Sequence, residues 1–301
     1  MVDRVSTYAQ STRIASDLMR LQSSYAQGQM QESSSLKSEN YQGIASSAQR
    51  LLNLETDYSK LSNQSETSQL ALDQANSMYS ALSTMTDLVT SMKTTISAAL
   101  GGTGDSGTDL STVASGTWDE FVAALNTQQA GAYVFGGGVT DAAPVDRTDS
   151  DYAAATVPST ADTSYYQGDD YTKTVKASDT LTVSYGVTAD NPAFEQAMRA
   201  FNIISNNPSD TDALKEAYNL LDTALTGLSN VQSGVSNNAA TLDNQINQNA
   251  TDLNTLDSVI SDIKNVDVSA VLLKLTNLQT QIESSYSISS NLLKMNLTEY
   301  L

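Results

Sequence analysis

The sequence predicts a mainly α protein in which the N- and C-terminal regions form a long antiparallel coiled-coil rod carrying a small inserted α+β module. Three observations predict it. From Leu214, steps of four and three residues meet an apolar side chain almost without interruption as far as Ile263, and only Gln232 and Asn249 break the stripe. An apolar position every 3.5 residues keeps one seam of an α-helix against a partner helix. A second stripe of the same period (Leu51, Leu54, Tyr58, Leu61, Ser65, Ser68, Leu72, Ala75, Tyr79, Leu82, Thr86, Val89, Lys93, Ile96) fills a stretch free of Pro and Gly between Ile44 and Leu100. The texture between the stripes is different, with glycine turns, β-branched runs and aromatic residues.

The elements in order divide the chain at 1–43, 44–100, 101–208, 209–264 and 265–301. Residues 1–43 are an N-terminal assembly helix and a polar linker: Ile14, Leu18, Leu21 and Tyr25 recur at helical spacing between Val5 and about Gln31, and Glu32–Gly43 loses the pattern. Residues 44–100 are the ascending rod helix, whose Ser and Thr at several seam positions make a thinner interface than a leucine zipper. Gly101–Leu110 reads as a flexible Gly-rich turn, and Trp118–Gln129 as a short helix with Trp118, Phe121, Val122 and Leu125 on one face. Tyr133–Phe135 reads as a short buried strand entering the turn Gly136–Gly138, and a polar loop lies between Pro144 and Pro158. Tyr171–Lys176 and Thr180–Tyr185 form a hairpin, and Asn191-Pro192 opens a helix carrying Phe194, Ala197, Met198, Phe201 and Ile204. Trp118, Phe121, Phe135 and Tyr166 are the expected anchors of this module. Ser209, with Asp212 three residues on, caps the descending rod helix of roughly 75–80 Å at about 1.5 Å per residue. A break at Asn265-Val266-Asp267 separates it from a last amphipathic helix, the C-terminal assembly helix. Apolar faces of terminal helices that outrun their neighbours require burial by other subunits.

Composition narrows the chemistry. The chain of 301 residues carries 34 acidic against 15 basic side chains, a net charge of −19, which disfavours nucleic acid and anionic membrane surfaces as partners. It has no Cys and no His, which removes thiol and imidazole nucleophiles, the commonest general base and the usual zinc ligands. The N-terminus lacks a signal-peptide core, and no transmembrane run occurs, so secretion by the general route is not indicated. Gly101–Asp105 has the composition of a calcium-binding nonapeptide, but Asp105 falls one position early and there is no second copy, so a solvated loop is expected. Gly136–Gly138 lacks the following Lys-Ser or Lys-Thr of a phosphate loop. Asp149 with Asp151, or Asp169 with Asp170, could pair as acid and base, but without a partner motif they read as turn formers. Asn63, Asn249 and Asn296 head Asn-X-Ser/Thr triplets inside predicted helices and read as polar side chains facing solvent. No catalytic, cofactor or metal residue is assigned, and an enzyme is not expected.

The terminal segments carry a resemblance. Asn265–Leu301, with Val266-Asp267 at its start, Leu275, Gln279 and Ser284 in its middle and a Leu-rich end closing in Tyr300-Leu301, resembles the C-terminal helix of the bacterial flagellin superfamily. Arg4-Val5-Ser6-Thr7 is similar to the opening of the hook–filament junction branch, the flagellin-like hook-associated proteins. Tyr133–Gly137 with Pro144-Val145, and Tyr166–Asp169, also resemble that branch. The Ser-Gly, Arg-Ile and paired-Asp stretch of the family is replaced here by Glu32–Ser47. The resemblance implies an extracellular structural subunit of the flagellum, exported unfolded through the flagellar type III channel and assembled through terminal helices. It implies as partners other copies of the chain, a neighbouring hook-associated protein and flagellin, with an export chaperone on the C-terminal helix, and no cofactor. Val5, Ile14, Leu18 and Leu21 at one end, with Leu275, Leu278, Ile282, Leu292, Leu293 and Leu301 at the other, are assigned to packing between subunits. The alternatives are flagellin itself and, from another class, a secreted adhesin or effector with a coiled-coil stalk.

Overall fold

The structure, a computed structural model, describes residues 2–102 and 107–298, with side chains described over 9–102 and 109–291. Six helices dominate: α1 (Val2–Ser34), α2 (Ala45–Leu100), α3 (Gly107–Leu125), α4 (Pro192–Asn206), α5 (Thr211–Lys264) and α6 (Val268–Thr298). A 3-10 turn at Tyr41–Ile44 precedes α2. Two hairpins complete the fold: β1 (Gln128–Gln129) with β2 (Ala132–Tyr133), and β3 (Thr174–Lys176) with β4 (Thr182–Ser184), both antiparallel. The chain divides into two compact units, Met1–Ser59 with Asp252–Leu301, and Lys60–Thr251. Helices α2 and α5 contribute to both.

In the second unit the heptad becomes burial. Leu214, Leu221, Leu228, Val235, Leu242 and Asn249, seven residues apart on α5, are all buried, and the alternate seam positions Tyr218, Leu225 and Ala239 are partly buried. On α2 the line Ser68, Ala75, Leu82, Val89, Ile96 is buried as the periodicity predicts. The second line differs from expectation by one residue. Ala71, Met78, Met85 and Met92 are buried, while Tyr79 is exposed and Lys93 sits at the rim, paired with Asp222 and lying over the Tyr218 ring. The reason is packing: α2 shares one core with α3 and α4 as well as α5, so its buried face is wider than a two-helix seam and swings toward the methionines. The Lys93–Asp222 pair, with Ala71 and Leu242 in one cluster, makes α2 and α5 antiparallel.

Helix α3 begins at Gly107, earlier than the sequence suggests, because Leu110 and Ala114 continue the buried stripe of Trp118, Phe121 and Leu125 against α4. It stops at Leu125, and Gln128–Gln129 turns back through Ala130 and Gly131, both at positive φ, to form the two-residue hairpin loop of β1 and β2. The expected strand at Tyr133–Phe135 is confined to Ala132–Tyr133, and Val134 and Phe135 are buried beyond it. Core aromatics meet edge-on or tilted: Phe121 on Phe201 at 5.4 Å, Phe135 on Phe194 at 5.8 Å, and Tyr152 on Tyr165 at 5.3 Å between centroids. Tyr165, not the expected Tyr166, is fully buried; the Tyr166 hydroxyl instead donates to the Asp169 carbonyl within its own turn.

Other polar positions have structural work. Asp169 Oδ1 accepts from the amides of Gly138 (2.6 Å) and Tyr171, and Asp149 from those of Asp151 and the Gln167 side chain, so these carboxylates hold turns as read from the sequence. Asn249 corrects the surface reading of its triplet. It is buried, donates to the Ala177 carbonyl at 3.1 Å and accepts from Gln245, tying the β3–β4 loop to the α5 seam. Asn63 is exposed, and the Asn296 side chain lies outside the described residues. The cap of α5 is Asp210, whose Oδ1 accepts from the amides of Asp212 and Ala213; the chain enters the helix one residue later than a Ser209 cap requires.

Candidate functional site

The first unit contains the predicted assembly helices. Asp267, whose Oδ1 accepts from the amides of Ser269 and Ala270, caps α6 at the break expected there. Helix α6 packs along α1. Gly28 of α1 lies against Leu275, and Gln22 Nε2 donates to the Tyr286 hydroxyl at 2.7 Å; residue numbers falling on one helix as they rise on the other make the pair antiparallel.

Two stretches tie this pair to the ends of α2 and α5 within the unit. The linker after α1 bridges the break before α6: Leu36 pairs with Asn265, Val266 N donates to Ser35 O, and Lys37 N donates to Lys264 O. The Lys37 ammonium caps the last carbonyls of α5 at Asp262 and Ile263, where the helix dipole favours a cation. Tyr41 donates to Glu55 at 2.8 Å, and Lys264 reaches the other carboxylate oxygen at 3.1 Å. These contacts, the Tyr41 hydrogen bond foremost, hold the Glu55 carboxyl below its ordinary pKa and push the Tyr41 phenol up.

The structure separates the assigned residues into classes the sequence could not. Leu275 and Leu278 are buried, and Ile14, Leu18, Leu21 and Ile282 are half-buried, within one copy of the chain. The side chains of Val5, Leu292 and Leu293, and Leu301 altogether, lie outside the described residues. Apolar side chains absent from the assignment remain uncovered: Met19 and Met30 on α1, and Leu272, Leu273, Tyr286 and Ile288 on α6. Their signal in the sequence was surplus: Leu272 and Leu273 are apolar residues beside the seam, more than one stripe needs. Beside Met30 a cavity of about 400 Å³ opens between α1 and the linker, lined by Gln27, Met30, Gln31, Leu36, Lys37 and Glu39 among others. No helix among the described residues is long and apolar enough to cross a membrane.

Residues 218–301, which span most of α5 and all of α6, match the bacterial flagellin C-terminal helical region. No curated protein sequence matches the chain. Among solved structures, a flagellar hook-associated protein from Vibrio parahaemolyticus superposes with a TM-score of 0.58 at 15% identity, covering 75% of this chain and 99% of that one. FlgL from Bacillus cereus superposes with a TM-score of 0.53 at 17% identity, covering 72% of this chain and 99% of its own. At such identities the likeness is one of fold. The chain is therefore similar to the flagellins over its C-terminal helical region and shares the fold of the flagellar hook-associated proteins.

Proposed function

We propose that the chain is a structural subunit of the bacterial flagellum that joins hook to filament, assembling with further copies of itself through α1 and α6. One observation carries this reading beyond the likenesses. Of the fourteen large apolar side chains left exposed among the described residues, nine belong to the first unit, which is little more than a third of the chain. Apolar side chains gathered in this way on one part of a chain supply surface for a partner to cover, and each square ångström of it gains about 25 cal/mol on burial. Six of the nine lie on α1 and α6, so among the described residues that helical pair has apolar surface left to cover. The partners in this reading are neighbouring copies, an adjoining hook-associated protein and flagellin, with an export chaperone on the C-terminal helix before assembly. The protein acts outside the cell after type III export, and works by polymerisation, not by turnover.

Immunogold microscopy of intact flagella, with antibody raised to residues 101–190, tests the reading. A single band where the hook meets the filament is the expected result. Label along the whole filament would make the chain a filament subunit, an alternative equally compatible with the flagellin C-terminal match. Absence of label from flagella would end the axial-protein reading altogether.

A further inference from the structure

The α1–α6 pair carries a hole on one flank and a knob on the other. Gly28 faces Leu275 across the seam. Successive helical residues are turned by about 100°, so Met30, two residues from Gly28, points roughly 200° away from that seam, and Leu273 points equally far from it on α6. The two therefore sit at one level of the antiparallel pair, on its opposite flanks. The Met30 flank holds the cavity of about 400 Å³, within the range of binding pockets. The other flank holds Leu273, 70% exposed and the most exposed large apolar side chain described. Two opposite charges beside them are free to pair, because Lys37, which also lines the cavity, has its ammonium taken up by the carbonyls of Asp262 and Ile263. Glu39 lines the cavity, Lys274 follows Leu273, both are exposed, and neither has an ion-pair partner among the described residues.

Resting on the assembly reading above, we infer that a second copy seats its Leu273 in the Met30–Leu36 cavity, with its Lys274 against Glu39. The contact is heterologous, because knob and hole are different surfaces of one chain. Heterologous contacts do not stop at a dimer: they propagate from copy to copy and close into a ring or continue as a helix. Placing knob and hole at the same level makes neighbours lie side by side. The cavity also abuts the linker that Lys37 clamps to the end of α5, so an incoming leucine would brace that linker at the same time.

The Cys-free chain allows a direct test. Full-length Met30→Cys and Leu273→Cys variants are produced together and singly in cells, and isolated flagella are oxidised. The expected result is a disulfide-linked dimer only when both variants are present. Flagella containing both variants without that mixed dimer, or with equal dimer from either variant alone, would overturn the contact while leaving the assembly reading intact. Absence of the wild-type chain from flagella would overturn the reading beneath it. Independently, Glu39→Lys and Lys274→Glu should each lower incorporation roughly threefold to tenfold, and the two reversals in one chain should restore it. Failure of that restoration when both single variants are folded and impaired would also count against the pairing.

Discussion

Gly28 is where the α1–α6 packing can be tested most sharply. A methyl group at residue 28 would lie 2.8 Å from Leu275 Cδ2 and 3.2 Å from its Cγ, closer than carbon atoms tolerate. Gly28→Ala should gain about 1 kcal/mol of helix propensity but cost about 1–3 kcal/mol as Leu275 is pushed from its rotamer, a net loss of roughly 0–2 kcal/mol. Leu275→Ala removes a buried side chain and should cost about 2–3 kcal/mol, the low end of the range for leucine because α1 is the helix that covers it. In the double variant the added methyl meets no leucine and partly fills the space it left. Gly28→Ala should then become stabilising, by about 1 kcal/mol or more, in the Leu275→Ala background. Amide hydrogen exchange of α1 in the full-length chain reads the local effect, and urea melts read any global one. If the double variant costs the sum of the singles within about 0.5 kcal/mol, Gly28 and Leu275 do not touch and the register of the pair is wrong.

Four other perturbations probe the second unit and the linker. Phe201→Ala, which empties a fully buried ring packed on Phe121, should destabilise the second unit by about 3–5 kcal/mol in chemical denaturation, and a loss below about 1 kcal/mol would deny the shared α3–α4 core. Asn249→Ala leaves the Ala177 carbonyl without its donor and should cost about 1–3 kcal/mol, with faster exchange of β3–β4 amides; unchanged exchange there would show that the side chain does not tie the hairpin. Burial raises the Tyr152 and Tyr165 phenols far above their ordinary pKa near 10. Their contribution is thus fully present below about pH 10 and is lost as pH rises past it, so melting temperature should fall steeply in alkali, and less so in Tyr165→Phe. The depressed Glu55 carboxyl behaves oppositely. Its contribution is present above about pH 4.3 and lost as pH falls, and Tyr41→Phe should blunt that acid loss as read by exchange at the 3-10 turn.

Much of the helical architecture was legible because long helices announce themselves by period. The heptads of α2 and α5, the break at Asn265-Val266-Asp267, the β3–β4 hairpin and the Asn191-Pro192 helix start each depend on a few adjacent residues whose chemistry admits one reading. The misreadings share one cause. Tyr79 in place of Met78, Tyr166 in place of Tyr165 and Ser209 in place of Asp210 are errors of one position, and the start of α3 was placed eleven residues, about three turns, too late. Period says that a face is buried, but its centre is set by how many neighbours share it, and α2 meets three helices where its stripe suggested one.

For the candidate interface, amphipathic spacing identified α1 and α6 as the helices with surface to bury, because the excess of apolar positions is a property of the chain itself. Which of those side chains are used within one copy and which remain uncovered was not readable from spacing. Leu275 and Leu273 are both leucines on one helix two residues apart. Only the approach of Gly28 buries the first and leaves the second in solvent, since contact depends on where another helix lies, and that position is decided by the whole of the tertiary fold.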